Sequence, residues 1–142
     1  MLVRDITNYL DTVAPPSLQE SYDNVGLLVG DGSSPCTGVL CCLDVTDSIL
    51  DEALKKGCNL IVAHHPLIFG GIKQINANDV TGQLIIKSIK NNIAIYAIHT
   101  NLDNTIEGVN GKMAALLGLT DCSVLLPKSG TLKKLITFVP QG

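Results

Sequence analysis

The sequence contains no tryptophan, three tyrosines and two phenylalanines, so it offers no obvious aromatic platform for stacking on nucleic-acid bases. Its formal net charge is −3 and its lysines are scattered, which argues against the basic surface that nucleic-acid binding requires. No apolar run approaches the ~18 residues of a membrane span, and the first residues lack the layout of a signal peptide. These absences favour a soluble cytoplasmic protein with neither a nucleic-acid nor a membrane partner.

Cysteine is present, but not in a spacing that is typical of metal or redox motifs. The five cysteines form no C-x-x-C pair, and several fall in or beside apolar stretches that predict strands. We therefore expect them to be small hydrophobic residues in a reducing compartment. They are Cys36, Cys41, Cys42, Cys58 and Cys122.

Short apolar runs alternate with helical patterns along the chain. Runs at residues 25–29, 39–43, 58–63 and 93–98 predict strands, and the wholly apolar run 39–43 predicts a strand buried on both faces. Helical spacing of apolar residues predicts helices near residues 2–13, 47–56, 80–91 and 109–117. This alternation predicts an α/β fold, with a mostly parallel sheet and flanking helices.

Two of the predicted helices have an apolar stripe and recognisable ends. Thr46 or Asp47 is a suitable N-cap for the helix at residues 47–56, and Gly57 is a suitable stop. We expect each helix to bury its stripe against the sheet. The stripes are Ile49, Leu50, Ala53 and Leu54 in the first helix, and Leu84, Ile85 and Ile89 in the helix at residues 80–91.

The end of the sequence raises a question of completeness. With 142 residues the chain is long enough for one domain with a core, which we place at residues 1–142. An apolar run at residues 132–139 predicts a last strand. A strand this late would normally be followed by an element that covers it, so we expect the sequence to be part of a longer protein.

The three histidines all follow predicted strands. His64 and His65 come directly after the run 58–63, and His99 comes directly after the run 93–98. Ligands of parallel α/β sheets bind beyond the carboxyl ends of the strands, so we expect these groups to converge on one edge. Pro66 cannot donate to a strand ladder, so the chain leaves the sheet there and both neighbouring imidazoles can turn toward that edge.

Carboxylates accompany the histidines and predict a metal site. Imidazole and carboxylate groups are the ligands of zinc, iron, manganese and similar ions. We predict that His64, His65 and Asp103 are metal ligands, which suffices for one catalytic ion with open positions. We predict that His99 and Asp44 act as catalytic proton carriers. His99 could instead be a ligand or orient a carboxylate, and Asp44 could only stabilise a helix N-terminus.

Other segments carry weaker signals. Asp23 and Asn24 precede a predicted strand, where they could form a turn or line a pocket. Gly70 and Gly71 could form a mobile loop or a nest for an oxyanion. The sequence has no Walker-type phosphate loop and no obvious element that would read guanine.

Four motifs carry a family resemblance and occur in the family's order. They are Asp23-Asn24-Val25-Gly26-Leu27, Leu43-Asp44-Val45-Thr46, His64-His65-Pro66 and His99-Thr100-Asn101-Leu102-Asp103. Together they cover most of the chain and resemble the Nif-three-like family of dinuclear metal proteins. Members of that family are widely named GTP cyclohydrolase 1 type 2 homologues.

The resemblance implies a ligand set and an assembly. It implies that His64, His65 and Asp103 bind metal, with Asp103 bridging two divalent ions that could be Zn, Fe, Mn or Mg. The family's other ligands, a histidine and a glutamate, belong to a C-terminal segment, so residues 1–142 are expected to be the N-terminal half of the metal-binding domain. The resemblance also implies a toroidal homohexamer and a small-molecule substrate, possibly a nucleotide.

The function that these expectations favour is metal-dependent hydrolysis. The resemblance implies opening of the imidazole ring of GTP with release of formate. One alternative is a nucleotide or phosphoester hydrolase that uses the same ions. A second alternative, from another class, is a non-catalytic metal-binding protein that regulates or assembles partners.

Overall fold

A computed structural model of the chain describes residues 1–126. The strands are Gly26–Val29 (β1), Val39–Cys42 (β2), Leu60–Ala63 (β3) and Ala94–Ala97 (β4). The helices are Val3–Val13 (α1), Asp47–Lys56 (α2), Val80–Lys90 (α3), Thr100–Asp103 (α4) and Val109–Leu116 (α5), with a 3-10 helix at Pro16–Leu18. All except the 3-10 helix and the short α4 were predicted from the sequence. The strand predicted at residues 132–139 lies outside the described residues.

The four strands form one sheet in the order β1-β4-β3-β2. The pairs β2–β3 and β3–β4 are parallel, and β1 joins the other side of β4 in antiparallel orientation. The prediction of a mostly parallel sheet with flanking helices is therefore confirmed. Cys42, Ala63 and Ala97, the last residues of the three parallel strands, are register partners. The segments that follow these strands consequently leave the sheet at the same edge.

The two central strands are buried on both faces. All four residues of β3 and all four of β4 are buried. Because side chains alternate along a strand, each strand contributes to two apolar clusters. One cluster joins Ile61, Ala63 and Ile95 to α2 and α3. The other joins Leu60, Val62, Ala94 and Tyr96 to Val3 of α1.

The prediction that the second strand is buried on both faces was wrong. β2 lies at the edge of the sheet, and its residues alternate between exposed and half-buried. Leu40 and Cys42 pack against the α2–α3 side of the core. Val39 and Cys41 are exposed. A fully apolar run does not show whether its strand lies at the edge or in the centre of the sheet, because that depends on the strand order.

Helix α2 has the predicted ends. The side chain of Thr46 accepts a hydrogen bond from the backbone N–H of Ile49, which is a standard N-cap. Gly57 follows the helix with φ +67°, a left-handed conformation that glycine adopts without strain. Leu50 and Ala53 are fully buried, whereas Leu54 is exposed. The buried stripe is therefore narrower than the one predicted.

In α3 the predicted stripe is partly wrong. Leu84 and Ile85 are buried, but Ile89 is 56% exposed. Ser88 occupies the buried position instead, where it donates a hydrogen bond to the carbonyl of Leu84. Ser88 lies four residues after Leu84 and therefore on the same face of the helix. Ile89 lies outside that buried face. Because the hydroxyl of Ser88 is hydrogen-bonded within its own helix, this polar residue can be buried, and the spacing of apolar residues does not reveal its position.

The helices of residues 1–126 do not include one with both the length and the apolar character needed to cross a membrane.

Candidate metal centre

The three histidines meet at the carboxyl edge of the parallel strands. Ring centroids are 5.1 Å apart for His64 and His65, 5.2 Å for His64 and His99, and 5.5 Å for His65 and His99. One ring nitrogen from each lies within 4.8 Å of the others. The three rings thus form a nearly equilateral triangle. Strands β3 and β4 bring them together from two segments that are at least 34 residues apart in sequence. We call His64, His65 and His99 the histidine trio.

A break in the strand pleat lets two adjacent histidines share one site. The backbone N–H of His64 donates to the carbonyl of Cys42, and the N–H of His65 donates to the carbonyl of Leu43. In a regular strand, successive residues point their backbone groups and side chains in opposite directions. Consecutive donation to the same neighbouring strand shows that the chain rotates here, just before Pro66. Both imidazoles therefore reach the same edge.

Each member of the trio uses its Nδ1 atom for a hydrogen bond outside the group. His64 Nδ1 lies 3.0 Å from the carbonyl oxygen of Ile98, His65 Nδ1 2.8 Å from Asp44 Oδ1, and His99 Nδ1 2.9 Å from Asp23 Oδ1. Carbonyl and carboxylate oxygens accept, so each Nδ1 carries the proton and donates. In the neutral form of each ring the Nε2 atom then keeps its lone pair, so each histidine has one nitrogen that can coordinate a cation.

Asp23 is the most firmly held of the acceptors. Its side chain has no exposed surface. Besides His99, it accepts hydrogen bonds from the backbone N–H of Asn24, and from both the backbone N–H and the hydroxyl of Thr100. Burial alone raises the pKa of the Asp23 carboxyl, but the hydrogen bonds from His99, Thr100 and Asn24 outweigh it, so the pKa is lowered.

Asp44, predicted as a proton carrier, is placed differently from His99. It lies two residues after β2, and its carboxylate oxygen accepts a hydrogen bond from Nδ1 of His65. Both side chains of this pair are well exposed. The structure therefore gives Asp44 the position of an orienting group for His65. His99, the other predicted proton carrier, lies within the histidine trio itself.

Asp103 stands beside the trio on the short helix α4. His99 precedes the helix, and its carbonyl accepts from the backbone N–H groups of Leu102 and Asp103. This turn carries the Asp103 carboxylate back toward His64, with Oδ1 3.8 Å from Nε2. That separation is too long for a hydrogen bond. The carboxylate therefore faces the one nitrogen of His64 that has no hydrogen bond.

The donor set fits a divalent cation. One ring nitrogen from each of the three histidines lies within 4.8 Å of the others, and the Asp103 carboxylate lies 3.8 Å from Nε2 of His64. Each imidazole also has a hydrogen-bond acceptor at its Nδ1 atom. Hydrogen bonding of the outer ring nitrogen to a carboxylate or carbonyl is the usual support of metal-ligating histidines. A core histidine with a purely structural role has no reason to leave its second nitrogen pointing at two others. The residues present can hold zinc, iron or manganese.

Sequence reasoning missed the role of Asp23 and Asn24. The sequence permits both a turn and a pocket role for this pair. Asp23 holds His99 across 76 positions in sequence. Asn24 donates its side-chain amide to the carbonyl of Ile68 at 2.6 Å, and so ties down the loop that follows Pro66. The only available signal was the position of an acidic residue near the start of a strand, which does not identify its distant partner.

Comparison with known proteins supplies a family context. The family model of Duf34/NIF3 (NGG1p interacting factor 3) matches residues 1–139. A Clostridium acetobutylicum protein named GTP cyclohydrolase 1 type 2 homolog is 39% identical over 132 residues, covering 93% of this chain and 49% of that protein. A Staphylococcus aureus protein of the same name is 43% identical over 141 residues, covering 99% of this chain and 38% of that protein.

The fold has a close structural counterpart. A crystal structure of a Bacillus cereus protein related to NIF3 matches with a TM-score of 0.83 and 42% identity. The match covers 90% of this chain and 35% of the other chain. The chain thus spans half or less of the length of these relatives.

Proposed function

Since the chain belongs to the Duf34/NIF3 family, we propose that it provides the histidine-bearing part of a divalent-metal-dependent hydrolase. One observation carries this proposal. The three histidines, each with its Nδ1 hydrogen-bonded outward, present three Nε2 atoms to one another at the carboxyl edge of the sheet. This arrangement has the chemistry of a ligand set, and the edge is where α/β sheets bind ligands.

We assign ligand roles to four side chains. His64, His65 and His99 supply Nε2 atoms, and Asp103 supplies a carboxylate. His99 was predicted as a proton carrier, but the geometry favours its use as a ligand because Asp23 already occupies its Nδ1 atom. Asp44 and Asp23 orient His65 and His99 from behind. When bound, a divalent ion supplies polarisation of a substrate bond and acidifies the water it contacts.

The number of ions follows from the number of ligands. Three protein ligands leave an open position on one ion, so four side chains are enough to hold one ion. The family resemblance implies two ions, and a two-ion site needs further ligands than those described in residues 1–126. We therefore propose that this part of the protein contributes one half of a larger ligand set, and that the complete site forms in a homo-oligomeric, full-length protein.

The proposed substrate is a nucleotide. Relatives in Clostridium acetobutylicum and Staphylococcus aureus carry the name GTP cyclohydrolase 1 type 2 homolog. On this basis we propose opening of the GTP imidazole ring with release of formate. The second candidate is a non-catalytic metal-binding adaptor, which is favoured by the family's description as an interacting factor.

Metal content tests the ligand assignment. We expect His64→Ala and Asp103→Ala each to lower the metal content of the loaded, desalted protein sharply, because each removes one of four ligands. Elemental analysis measures this directly. The matched control is Asp51→Ala, which removes an exposed carboxylate of α2 that pairs with Lys87. Wild-type metal content in both site variants would remove the ligand assignment.

Turnover tests the function separately. Formate release from GTP by the metal-loaded full-length protein, abolished by His65→Ala, would support the proposed hydrolase. Phosphate release without formate would indicate a phosphoester hydrolase that uses the same residues. Full metal occupancy without any product from GTP or another nucleotide, with partners retained, would contradict the hydrolase and favour the adaptor.

A further inference from the structure

Two exposed aromatic side chains stand beside the histidine trio. The ring centroids of Tyr22 and Phe69 are 6.3 Å apart, with their planes inclined at 43°. The ring of Phe69 also lies 6.3 Å from that of His99, nearly edge-on at 74°. The two aromatic rings therefore continue the surface of the candidate metal centre outward. We call Tyr22 and Phe69 the aromatic ledge.

The ledge contains two of the few aromatic residues of this chain. Only four aromatic residues lie within residues 1–126, namely Tyr9, Tyr22, Phe69 and Tyr96. Tyr96 is buried in the core, whereas Tyr9 is 65%, Tyr22 64% and Phe69 52% exposed. Single exposed hydrophobic residues need no explanation, but adjacent ones next to a polar cleft indicate a binding surface. In a protein so poor in aromatic residues, two of the four are placed at one site.

One ring of the ledge belongs to the segment that orients His99. Tyr22 is followed by Asp23, which holds His99, and by Asn24, whose side chain holds the carbonyl of Ile68. Ile68 immediately precedes Phe69. The segment that carries one ring of the ledge therefore also holds His99 and the backbone next to the other ring. Holding these groups in place before a ligand arrives lowers the ordering cost of binding.

A cleft adjoins the ledge and is large enough for a nucleoside. It has a volume of about 530 Å³ and is lined by Phe69, Gly70, Gly71, Lys73, Gln74 and Asp79, among others. Ligand pockets commonly have volumes of ~300–1,000 Å³, with mostly apolar walls and a few polar groups. No member of the histidine trio lines this cleft, and Phe69 is the residue that contacts both regions.

We propose that the aromatic ledge binds the face of a planar heteroaromatic ring, the base of a nucleotide substrate, beside the histidine trio. The inference rests on the proposed function, because it names the part of the substrate that the trio would act upon. A ring stacked on Phe69 would lie near His99, whose ring centroid is 6.3 Å from that of Phe69. Bases stack on aromatic side chains largely irrespective of base identity, so the ledge selects a flat ring and leaves finer discrimination to polar groups.

The test compares a nucleotide with its base-free counterpart. Phe69→Leu and Tyr22→Leu keep apolar volume but remove the flat face, and Tyr9→Leu is the matched control because Tyr9 is equally exposed on α1. Binding of GTP and of ribose 5-triphosphate to the metal-loaded full-length protein is measured by calorimetry. We expect Phe69→Leu to weaken GTP binding about 5- to 100-fold, with a smaller loss for Tyr22→Leu and none for Tyr9→Leu.

Ribose 5-triphosphate separates stacking from other effects. The affinity of ribose 5-triphosphate is expected to be the same in all variants, because it lacks the planar base that would stack on the ledge. Wild-type GTP affinity in both ledge variants would overturn the inference, and so would an equal loss of affinity for both ligands. A metal-loaded wild type that binds no GTP would overturn it as well. Metal content is measured in every variant, so loss of metal in His64→Ala remains a separate test of the proposed function.

Discussion

Two carboxylate–histidine pairs flank the histidine trio, with hydrogen bonds of nearly the same length but very different exposure to solvent. His65 and Asp44 are 2.8 Å apart, with side chains 45% and 60% exposed. His99 and Asp23 are 2.9 Å apart, with side chains 17% and 0% exposed. Equal distances therefore join one pair in solvent and another pair in the interior. When an exposed hydrogen bond is broken, water replaces the lost partner, whereas a buried group is left without one. We therefore expect the buried pair to contribute more to the free energy of unfolding than the exposed pair.

The buried pair also connects distant parts of the chain. Asp23 binds Thr100 as well as His99, and the hydroxyl of Thr100 accepts from the backbone N–H of Glu20. The segment before β1 is thereby tied to the start of α4. The exposed pair, by contrast, joins two neighbouring strand ends that the sheet already holds together. Loss of Asp23 should affect the fold as well as the site, whereas loss of Asp44 should affect the site alone.

The largest expected effect comes from Asp23→Ala. It leaves the Nδ1–H of His99 and the N–H of Thr100 without acceptors in a buried place, at a cost of about 3 kcal/mol in the free energy of unfolding. Metal affinity should fall about 100-fold, at the upper end of the effects seen for outer groups that orient ligands. Urea unfolding of the metal-free protein measures the first quantity, and metal competition titration measures the second.

Asp23→Asn is the control for shape. The amide keeps one acceptor for Thr100, but presents its own donor where the carboxylate faced His99. Stability should fall between those of the wild type and Asp23→Ala. If Asp23→Ala unfolds at the same urea concentration as the wild type, the buried pair does not contribute to the stability of the fold, and the contrast with Asp44 is refuted.

Much of this contrast rests on features that the sequence predicts. The alternation of apolar runs and helical patterns predicts the parallel strands, and strands of that kind end at a common edge. Placing His64, His65 and His99 directly after such strands was therefore enough to predict their convergence. The ends of α2 were equally predictable, because caps such as Thr46 act through local backbone groups.

Partners across the sheet were not predictable in the same way. Nothing near Asp23 identifies His99 as its partner, since the contact depends on how β1 is added antiparallel to β4. The edge position of β2 and the exposure of Ile89 depend on strand order and helix docking for the same reason. Phe69 belongs to this group as well, because its place beside His99 follows from the path of a loop.

Asp44→Ala is expected to have a smaller effect, confined to the site. Both side chains of its pair are exposed, so the free energy of unfolding of the metal-free protein should change by less than about 1 kcal/mol. His65 loses its orienting acceptor, so metal affinity should fall about 10-fold. Asp47→Ala removes a comparable exposed carboxylate of α2 that pairs with Lys87, and should leave metal affinity unchanged. A stability loss equal to that of Asp23→Ala would contradict the comparison.

Asp103→Asn should have the smallest effect on the metal-free protein. Its carboxylate lies 3.8 Å from His64 Nε2, beyond hydrogen-bonding distance, and both side chains are partly exposed. The free energy of unfolding of the metal-free protein should therefore change by less than about 0.5 kcal/mol. With metal added the outcome should differ, because a ligand that binds only the folded state raises its stability according to its affinity. Thermal unfolding with and without metal measures this increment. It should shrink in Asp103→Asn, and an undiminished increment would show that Asp103 is not a ligand.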